Sequence, residues 1–551
     1  MMRRRSPKTA VKESPAQAAH VFHGSSNNSD NLSSFARLTD RRVLLALLFI
    51  LSLIIRIMYA NAGIPHFDSI ADANKAPLSI ENGKLEYSYG YGAPGIVVLL
   101  TAVYAVDHWI TGAQNAEFAY FFITILSAAL AIAALYLVVE KLTHDKFIAF
   151  FSGLFFSLTP IFLSITTYPK THAPAALFSL LGGYLLLKAR DEGADSQAKL
   201  LILSGLCLSF AISIRIFSLF FIIPFVILYL NPRLSGGKLL LNKNALSLRN
   251  ISLFCAALFI VVFVLFIPKF LTVGFEGFVN SLIGERGTVA WQGAFSDRLG
   301  EAFSEIKISL TFLGIIAIIL GILWLLKRKE YLTLTALAAW FFLFFLYFGN
   351  LRGVEARFLT ESLIPLMILM ACGVKLLAEL DLKKLSPQIT REHVMIGAAV
   401  IGILLSLNMF FVIEPIISAR HEYSGQKEFA KWVGSFTERN SMLITNDEGF
   451  FYTFYTGKDF IGHYYSASEQ DIIDTVSKIK ALLESGVSVY MTDSGIGGGM
   501  AQQFANALQQ NFDIAILGAR PNEFYSRNTL HFQKYPDPGE RLFRITLKKA
   551  P

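Results

Sequence analysis

The sequence predicts a polytopic α-helical membrane protein of about eleven spans, with a C-terminal α/β domain on its extracytoplasmic side. Three observations predict it. The chain is 54% hydrophobic and 16% charged, with 48 Phe among 551 residues, against about 45–50% apolar and about 25% charged in soluble domains. Apolar runs of near-bilayer length, separated by short basic loops, recur between residues 41 and 413. From residue 414 the composition turns to that of a soluble domain in which strand and helix patterns alternate.

Residues 1–40 open with MMRRR, continue through GSSNNSDNLSS and lack apolar periodicity, which predicts a disordered cytoplasmic tail. The first apolar run, 43–60, ends near Ala60-Asn61-Ala62, a sequence like a signal-peptidase site. The long tail before it and its spanning length favour a retained helix. Further runs fall at 94–111, 118–139, 147–165, 173–188, 200–214, 217–230, 251–270, 306–326, 331–348, 358–379 and 393–413. If 94–111 spanned, the loops holding Lys141 and Lys146, Lys188 to Lys199, Arg233 to Arg249 and Lys327 to Lys329 would all lie outside, against the positive-inside rule. Reading 94–111 as juxtamembrane or re-entrant, opened by Pro94-Gly95 and closed by Asp107-His108-Trp109, returns every basic loop to the cytoplasm. The N-terminus is then cytoplasmic, in a plasma (inner) membrane, and 41–413 form the membrane domain. The segments 61–93, 166–172, 271–305 and 349–357 face outward, together with the turn at Arg215.

For the extracytoplasmic domain, 414–551, pattern reading gives helices at 423–436, 469–484 and 499–511 and strands at 441–446, 487–492, 513–517 and 541–547. The loop Gly495-Ile496-Gly497-Gly498-Gly499 between a strand and a helix resembles a phosphate-binding turn. Met500 at the last glycine position leaves that fingerprint incomplete, and a tight strand-to-helix connection is the simpler reading.

The net charge of +8 sits in the N-terminal arm and the short loops, as membrane topology requires, so nucleic acid is not implied as a partner. Cys207, Cys255 and Cys372 lie inside apolar runs and indicate no disulfide framework. The cytoplasmic loops carry no Walker-type motif, which argues against ATP-driven transport and against a cytosolic sugar-nucleotide donor.

The chemistry therefore belongs to the outward segments. In the loop 61–93, Asp68 and Asp72 stand four residues apart and would share a helical face; N-capping of a helix after Phe67 is the structural alternative for Asp68. Tyr87, Tyr89 and Tyr91 alternate with small residues, and tyrosine offers a sugar both a ring face and a hydroxyl. Lys170, His172, Arg215, Arg352 and Arg357 place cations at outer helix ends, where an uncompensated charge in hydrocarbon costs roughly 2.5 kcal/mol or more. Glu361, one turn on, is the structural partner expected for Arg357, whereas Arg215 has no acid nearby in sequence. Arg56 is expected to snorkel to the outer interface, and Asp107 with His108 to anchor there beside Trp109. Glu276, Glu285, Arg286, Trp291 and Gln292 are candidates to line an acceptor cleft.

An Arg-bearing first helix, Asp68 followed by small residues at Ala76 and Gly83, and the stretch Tyr89-Gly-Tyr-Gly-Ala-Pro94-Gly95 together resemble the C-type (GT-C) superfamily of membrane glycosyltransferases. The nearest pattern is the branch of aminoarabinose transferases and protein O-mannosyltransferases. The likeness continues through LVVEKLTHDK, SLTPIFLSITTYPKTHAP and Arg357-Phe-Leu with Pro365, and so covers most of the membrane domain. It implies transfer of a sugar from a polyprenyl-phosphate donor to an acceptor hydroxyl, with inversion and with Asp68 as general base. Lys170, His172, Arg215 and Arg357 would hold the donor phosphate, Asp72 would make a secondary polar contact, and Tyr87, Tyr89 and Tyr91 would meet sugar or acceptor. The chain departs from the branch at Ser69, where an acid is usual, and at the Tyr168-Pro-Lys170-Thr-His172 stretch, where another is expected. These departures weigh against a metal-binding pair; no cofactor is called, and a divalent metal stays an alternative. The rival functions are a lipid-linked oligosaccharide flippase or transporter, which the concentration of polar residues on one face disfavours, and a glycan polymerase or ligase. The acceptor is left open among lipid, glycan and protein.

Overall fold

The computed structural model describes residues 40–87, 93–113, 115–231, 233–235, 238–240, 247–287, 295–349, 355–382, 388–422, 424–446, 448–462, 468–496, 500–520, 530 and 540–548. Its two compact units are Met1–Leu44 and Leu45–Pro551. In chain order the helices begin with α1 (Arg41–Met58), α2 (Phe67–Glu81), α3 (Pro94–Thr111), α4 (Ala116–Thr143), α5 (Lys146–Leu158), α6 (Pro160–Thr166), α7 (His172–Ala189), α8 (Ala194–Ile214) and α9 (Ile222–Leu230). After the short strands β1 (Arg233–Ser235) and β2 (Lys238–Leu240) follow α10 (Leu248–Gly287), α11 (Phe295–Lys327), α12 (Tyr331–Gly349), α13 (Thr360–Ala378) and α14 (Arg391–Glu422).

Eight described helices are long and apolar enough to cross a membrane, or nine if the bent pair α5 and α6 counts as one span. The expectation of about eleven differs in its members. The segment 94–111 qualifies by length and composition, while α1 carries Arg41, Arg42 and Arg56, α7 is diluted by His172, Pro174, Gly182, Gly183 and Lys188, and Ile216–Leu230 is short. The run expected at 147–165 is broken by 61° at Pro160. Proline has no N–H for the carbonyl a turn behind it, that of Phe156, which accepts the Thr159 N–H at 3.4 Å instead, while Thr159 Oγ1 donates to the Phe155 carbonyl at 2.6 Å. The segment 271–305, expected as a loop, is largely helical: α10 runs on to Gly287 past a break at Gly274, whose φ of 71° suits glycine, and α11 begins at Phe295.

The bundle packs most closely where side chains are smallest. Gly321 on α11 and Gly373 on α13 cross so tightly that a Cβ at either would collide with the Leu369 or Ala317 carbonyl. Outward faces, such as Phe259 and Phe263 on α10 and Phe312 on α11, are exposed and apolar, as lipid contact requires.

Beyond α14 come α15 (Gly425–Phe436), β3 (Ser441–Thr445), α16 (Glu448–Thr456), β4 (Asp459–Gly462), α17 (Glu469–Glu484), β5 (Ser488–Thr492), α18 (Ala501–Asn511), β6 (Phe512–Arg520) and β7 (Glu540–Leu547). The five strands β3 to β7 form one sheet in the order β4-β3-β5-β7-β6. β3 is parallel to β4 and β5, whereas β7 runs antiparallel between β5 and β6. α16 and β4 are absent from the sequence reading. Of the glycine-rich loop, Gly497, Gly498 and Gly499 lie outside the described residues.

Candidate active site

Asp68 occupies the first turn of α2. The N-cap is His66, so the capping alternative for Asp68 does not hold. A helix break and one tertiary contact bring this turn to the segment 167–171. The α5–α6 break delivers the chain to the turn at 167–171, and Ser69 Oγ donates to the Pro169 carbonyl at 2.6 Å. The residue that stands where the resembled branch has an acid is thus a tie that sets Asp68 beside Lys170.

Three groups converge on one oxygen of Asp68. Lys170 Nζ donates to Oδ2 at 3.2 Å, His66 Nδ1 lies 3.2 Å from it, and Arg357 Nη2 is 3.7 Å away. Arg357 Nη1 also meets His66 Nε2. As the cap of α2, His66 Nδ1 accepts the Asp68 backbone N–H at 3.1 Å, which fixes the ring beside Oδ2. Asp68 remains 27% exposed, and no described side chain claims Oδ1 in a hydrogen bond or ion pair. One oxygen is anchored while the other is open to a reactant.

Arg357 heads a short 3-10 turn, Ala356–Leu359, and faces Glu355, with Nε 2.7 Å from Oε2. Its expected partner Glu361 instead pairs with Arg215, both being buried. Arg215 also lies over the Phe348 ring, 5.4 Å from its centroid. His172 is buried in the field of Arg215, Arg357 and Lys170 beside the Arg357 backbone, and among the described residues no side chain hydrogen-bonds either ring nitrogen. Burial, and secondarily Arg357, push the Lys170 ammonium down to about 8 against the opposing pull of Asp68. The result is a compact cluster of three cations and three carboxylates beside two histidines. It can present hydrogen-bond donors to an anion and an open carboxylate oxygen to a hydroxyl.

Other sequence candidates fall elsewhere. Asp72 is buried and its Oδ2 accepts from the Tyr120 hydroxyl at 3.0 Å. The Tyr87 hydroxyl donates to the Leu265 carbonyl at 2.9 Å, tying its segment to α10. Tyr89, Tyr91, Arg352, Trp291 and Gln292 lie outside the described residues, as do the side chains of Glu285 and Arg286, while Glu276 is exposed. Arg56 does not snorkel. It is fully buried and donates to Thr166 Oγ1 at 2.8 Å, Ser52 Oγ at 2.7 Å and the Ser157 carbonyl at 3.2 Å, joining α1 to the broken helix. At the end of α3, His108 and Trp109 are exposed and Asp107 is half-buried. Among the described residues no three His, Cys, Asp or Glu side chains gather in metal-binding array, and Asp68 Oδ2 is already engaged; the site does not fit a metal pair. Sequence reasoning missed His66, Glu355 and the role of Ser69. Their one local signal was position, immediately beside Asp68 or Arg357.

Residues 106–276 match the family described as dolichyl-phosphate-mannose-protein mannosyltransferase. No curated protein sequence matches the chain. Among solved structures, ArnT from Cupriavidus metallidurans bound to undecaprenyl phosphate is similar with a TM-score of 0.58 and 12% identity, over 91% of this chain and 97% of that one. Its apo state gives 0.59 and 13%, over 94% and 98%. The Archaeoglobus fulgidus oligosaccharyltransferase in complex with Zn and sulfate gives 0.53 and 13%, over 89% and 73%. The chain has the GT-C fold of membrane glycosyltransferases. The family match is confined to residues 106–276, and the likeness to ArnT and to the oligosaccharyltransferase is one of fold.

Proposed function

We propose that the protein transfers a sugar from a polyprenyl-phosphate-linked donor to an acceptor hydroxyl at the extracytoplasmic face of the plasma (inner) membrane. The observation that carries the reading is Asp68, with Oδ2 held by Lys170, His66 beside it and Oδ1 open, in one cluster with Arg357. The acceptor oxygen attacks the anomeric carbon as the bond from that carbon to the donor phosphate breaks, and the acceptor proton passes to Asp68 Oδ1. A positioned base of this kind contributes about 10²- to 10⁴-fold. Lys170, Arg357 and Arg215 neutralise the departing lipid phosphate and His172 offers it a ring N–H, where preorganised donors act most strongly. The other carboxylates of the cluster are committed, Glu355 to Arg357 and Glu361 to Arg215, which supports single displacement with inversion over a glycosyl-carboxylate intermediate. Asp72, whose carboxylate accepts from Tyr120, makes a secondary polar contact, and Tyr87, Tyr89 and Tyr91 lie along the sugar or acceptor path. With 94–111 lying juxtamembrane although it is long and apolar enough to span, positive-inside parity supports an outward site, with residues 1–40 as a cytoplasmic tail, 41–413 as the catalytic membrane domain and 414–551 as an extracytoplasmic domain.

The test is Asp68→Asn in purified protein in nanodiscs, with a polyprenyl-phosphate sugar as donor and released lipid phosphate as readout. Release should fall by about 10² or more while donor binding persists. Wild-type release by Asp68→Asn would overturn the assignment of the base.

A further inference from the structure

The segment that leads into Asp68 is held from a distance by residues C-terminal to the membrane helices. The Ile64 N–H donates to the Tyr455 hydroxyl at 3.1 Å, and that hydroxyl donates in turn to Glu117 Oε1 at 3.2 Å. Lys427 Nζ pairs with Glu117 Oε2 at 2.9 Å, reaches the Ala62 carbonyl at 3.4 Å, and lies 5.3 Å from the centre of the Tyr455 ring. Phe450 stacks on Phe67 with ring centres 6.3 Å apart, beside Asp68 itself. Burial, and then the charge of Glu117, push the Tyr455 phenol well above its ordinary value, so it keeps its proton and stays a donor.

The stretch between Ile64 and Asp68 has little slack. Pro65 fixes one backbone angle, His66 caps α2 and touches both Asp68 and Arg357, and Phe67 is held by Phe450. A shift of Ile64 is therefore passed to the carboxylate. Misplacement by about 1 Å can cost about 10²-fold in rate.

We propose that Tyr455, braced by Glu117 and Lys427, is a positioning residue through which the C-terminal region sets the place of Asp68. Its hydroxyl sits at the junction of three parts of the fold: the first outward segment, the start of α4 and α16. The inference rests on the reading of Asp68 as the base. It assigns the region after α14 a part in the reaction that packing alone does not require.

The experiment compares full-length wild type, Tyr455→Phe and Lys427→Met in nanodiscs, reading transfer kinetics, donor affinity and amide exchange of the peptide spanning 60–70. Tyr455→Phe keeps the ring but loses both hydroxyl bonds. It should lower kcat about tenfold or more, leave donor KM within about twofold, and speed exchange at Ile64 by about tenfold. Lys427→Met should give the same pattern more weakly, and it decides the matter if Tyr455→Phe does not fold. Unchanged exchange with unchanged kcat would overturn the proposal, as would a loss of donor affinity in proportion to the loss of rate. Asp68→Asn is run alongside: if it alone is fully active, the base assignment fails, while the exchange result still decides whether Tyr455 holds the segment.

Discussion

Arg215 and Glu361 are 146 residues apart in the chain, are both buried, and pair with each other. Removing the arginine alone does two things at once, because it deletes a donor toward the phosphate and strands a carboxylate. Stranding one member of a buried pair costs about 3–5 kcal/mol. Arg215→Ala should therefore lower stability severely, and a loss of donor binding in that variant would be uninterpretable. Arg215→Met with Glu361→Gln removes both charges and preserves volume, and such paired replacements are often close to neutral. The double variant should recover most of the lost thermal stability. Donor affinity should not recover with it: a hydrogen bond to a charged group contributes about 1.5–3 kcal/mol, or about 10- to 150-fold. The assay is thermal unfolding in detergent beside donor-lipid binding on the same preparations. If the double variant regains donor affinity together with stability, Arg215 serves the fold and not the phosphate.

Lys170, pushed down to about 8 chiefly by burial, gives a pH signature with two opposite signs. Its charge is lost as pH rises through about 8, so donor affinity should fall by up to about tenfold per pH unit there. The unfolded chain binds the extra proton up to its ordinary value of about 10.4, so stability should rise over the same window. Lys170→Arg should flatten both trends, and a donor affinity that is independent of pH in wild type would remove Lys170 from the phosphate site. For topology, single cysteines at exposed Lys84 and Gln470 should react with an impermeant maleimide added outside intact cells, and one at Lys329 should not. Labelling at Lys329 from outside would reverse the arrangement.

The membrane helices were legible because lipid demands long apolar runs, and the position of Asp68 was legible because a carboxylate just beyond such a run has few structural reasons to be there. Pairing was not. The rule that puts Glu361 beside Arg357 assumes a continuous helix, but Arg357 lies in a 3-10 turn ahead of α13, so Glu355 meets it and Glu361 turns to Arg215. Arg56 looked interfacial because its acceptors, Thr166 and Ser157, are on a different helix and are brought near by the break at Pro160. α16 escaped notice for another reason. Its sequence EGFFYTFYT buries Tyr452 among Phe429, Val433 and Leu443, while Phe451 joins the cluster around α2 and α4, against which Phe450, Phe454 and Tyr455 also pack. Apolar demand on two sides erases the period by which a helix is read.

The cluster balances three cations against Asp68, Glu355 and Glu361, and this balance links the proton to the leaving group. A sugar lipid phosphodiester carries one negative charge, and the released monoester carries about 1.5 to 2. In the proposed reaction the site thus gains anionic charge on phosphate just as Asp68, by taking the acceptor proton, loses its own. Lys170 and Arg357, which face Oδ2 beforehand, are then released to the phosphate at the moment its charge grows. Asp68→Asn mimics the protonated carboxyl in charge, so it should bind lipid monophosphate more tightly than wild type does, by about tenfold for one charge-assisted contact regained. Binding of the donor diester should strengthen less. Equal affinities for monophosphate in wild type and Asp68→Asn, measured at a pH near 7 where Lys170 is charged, would show that Asp68 and the phosphate do not compete for the same cations.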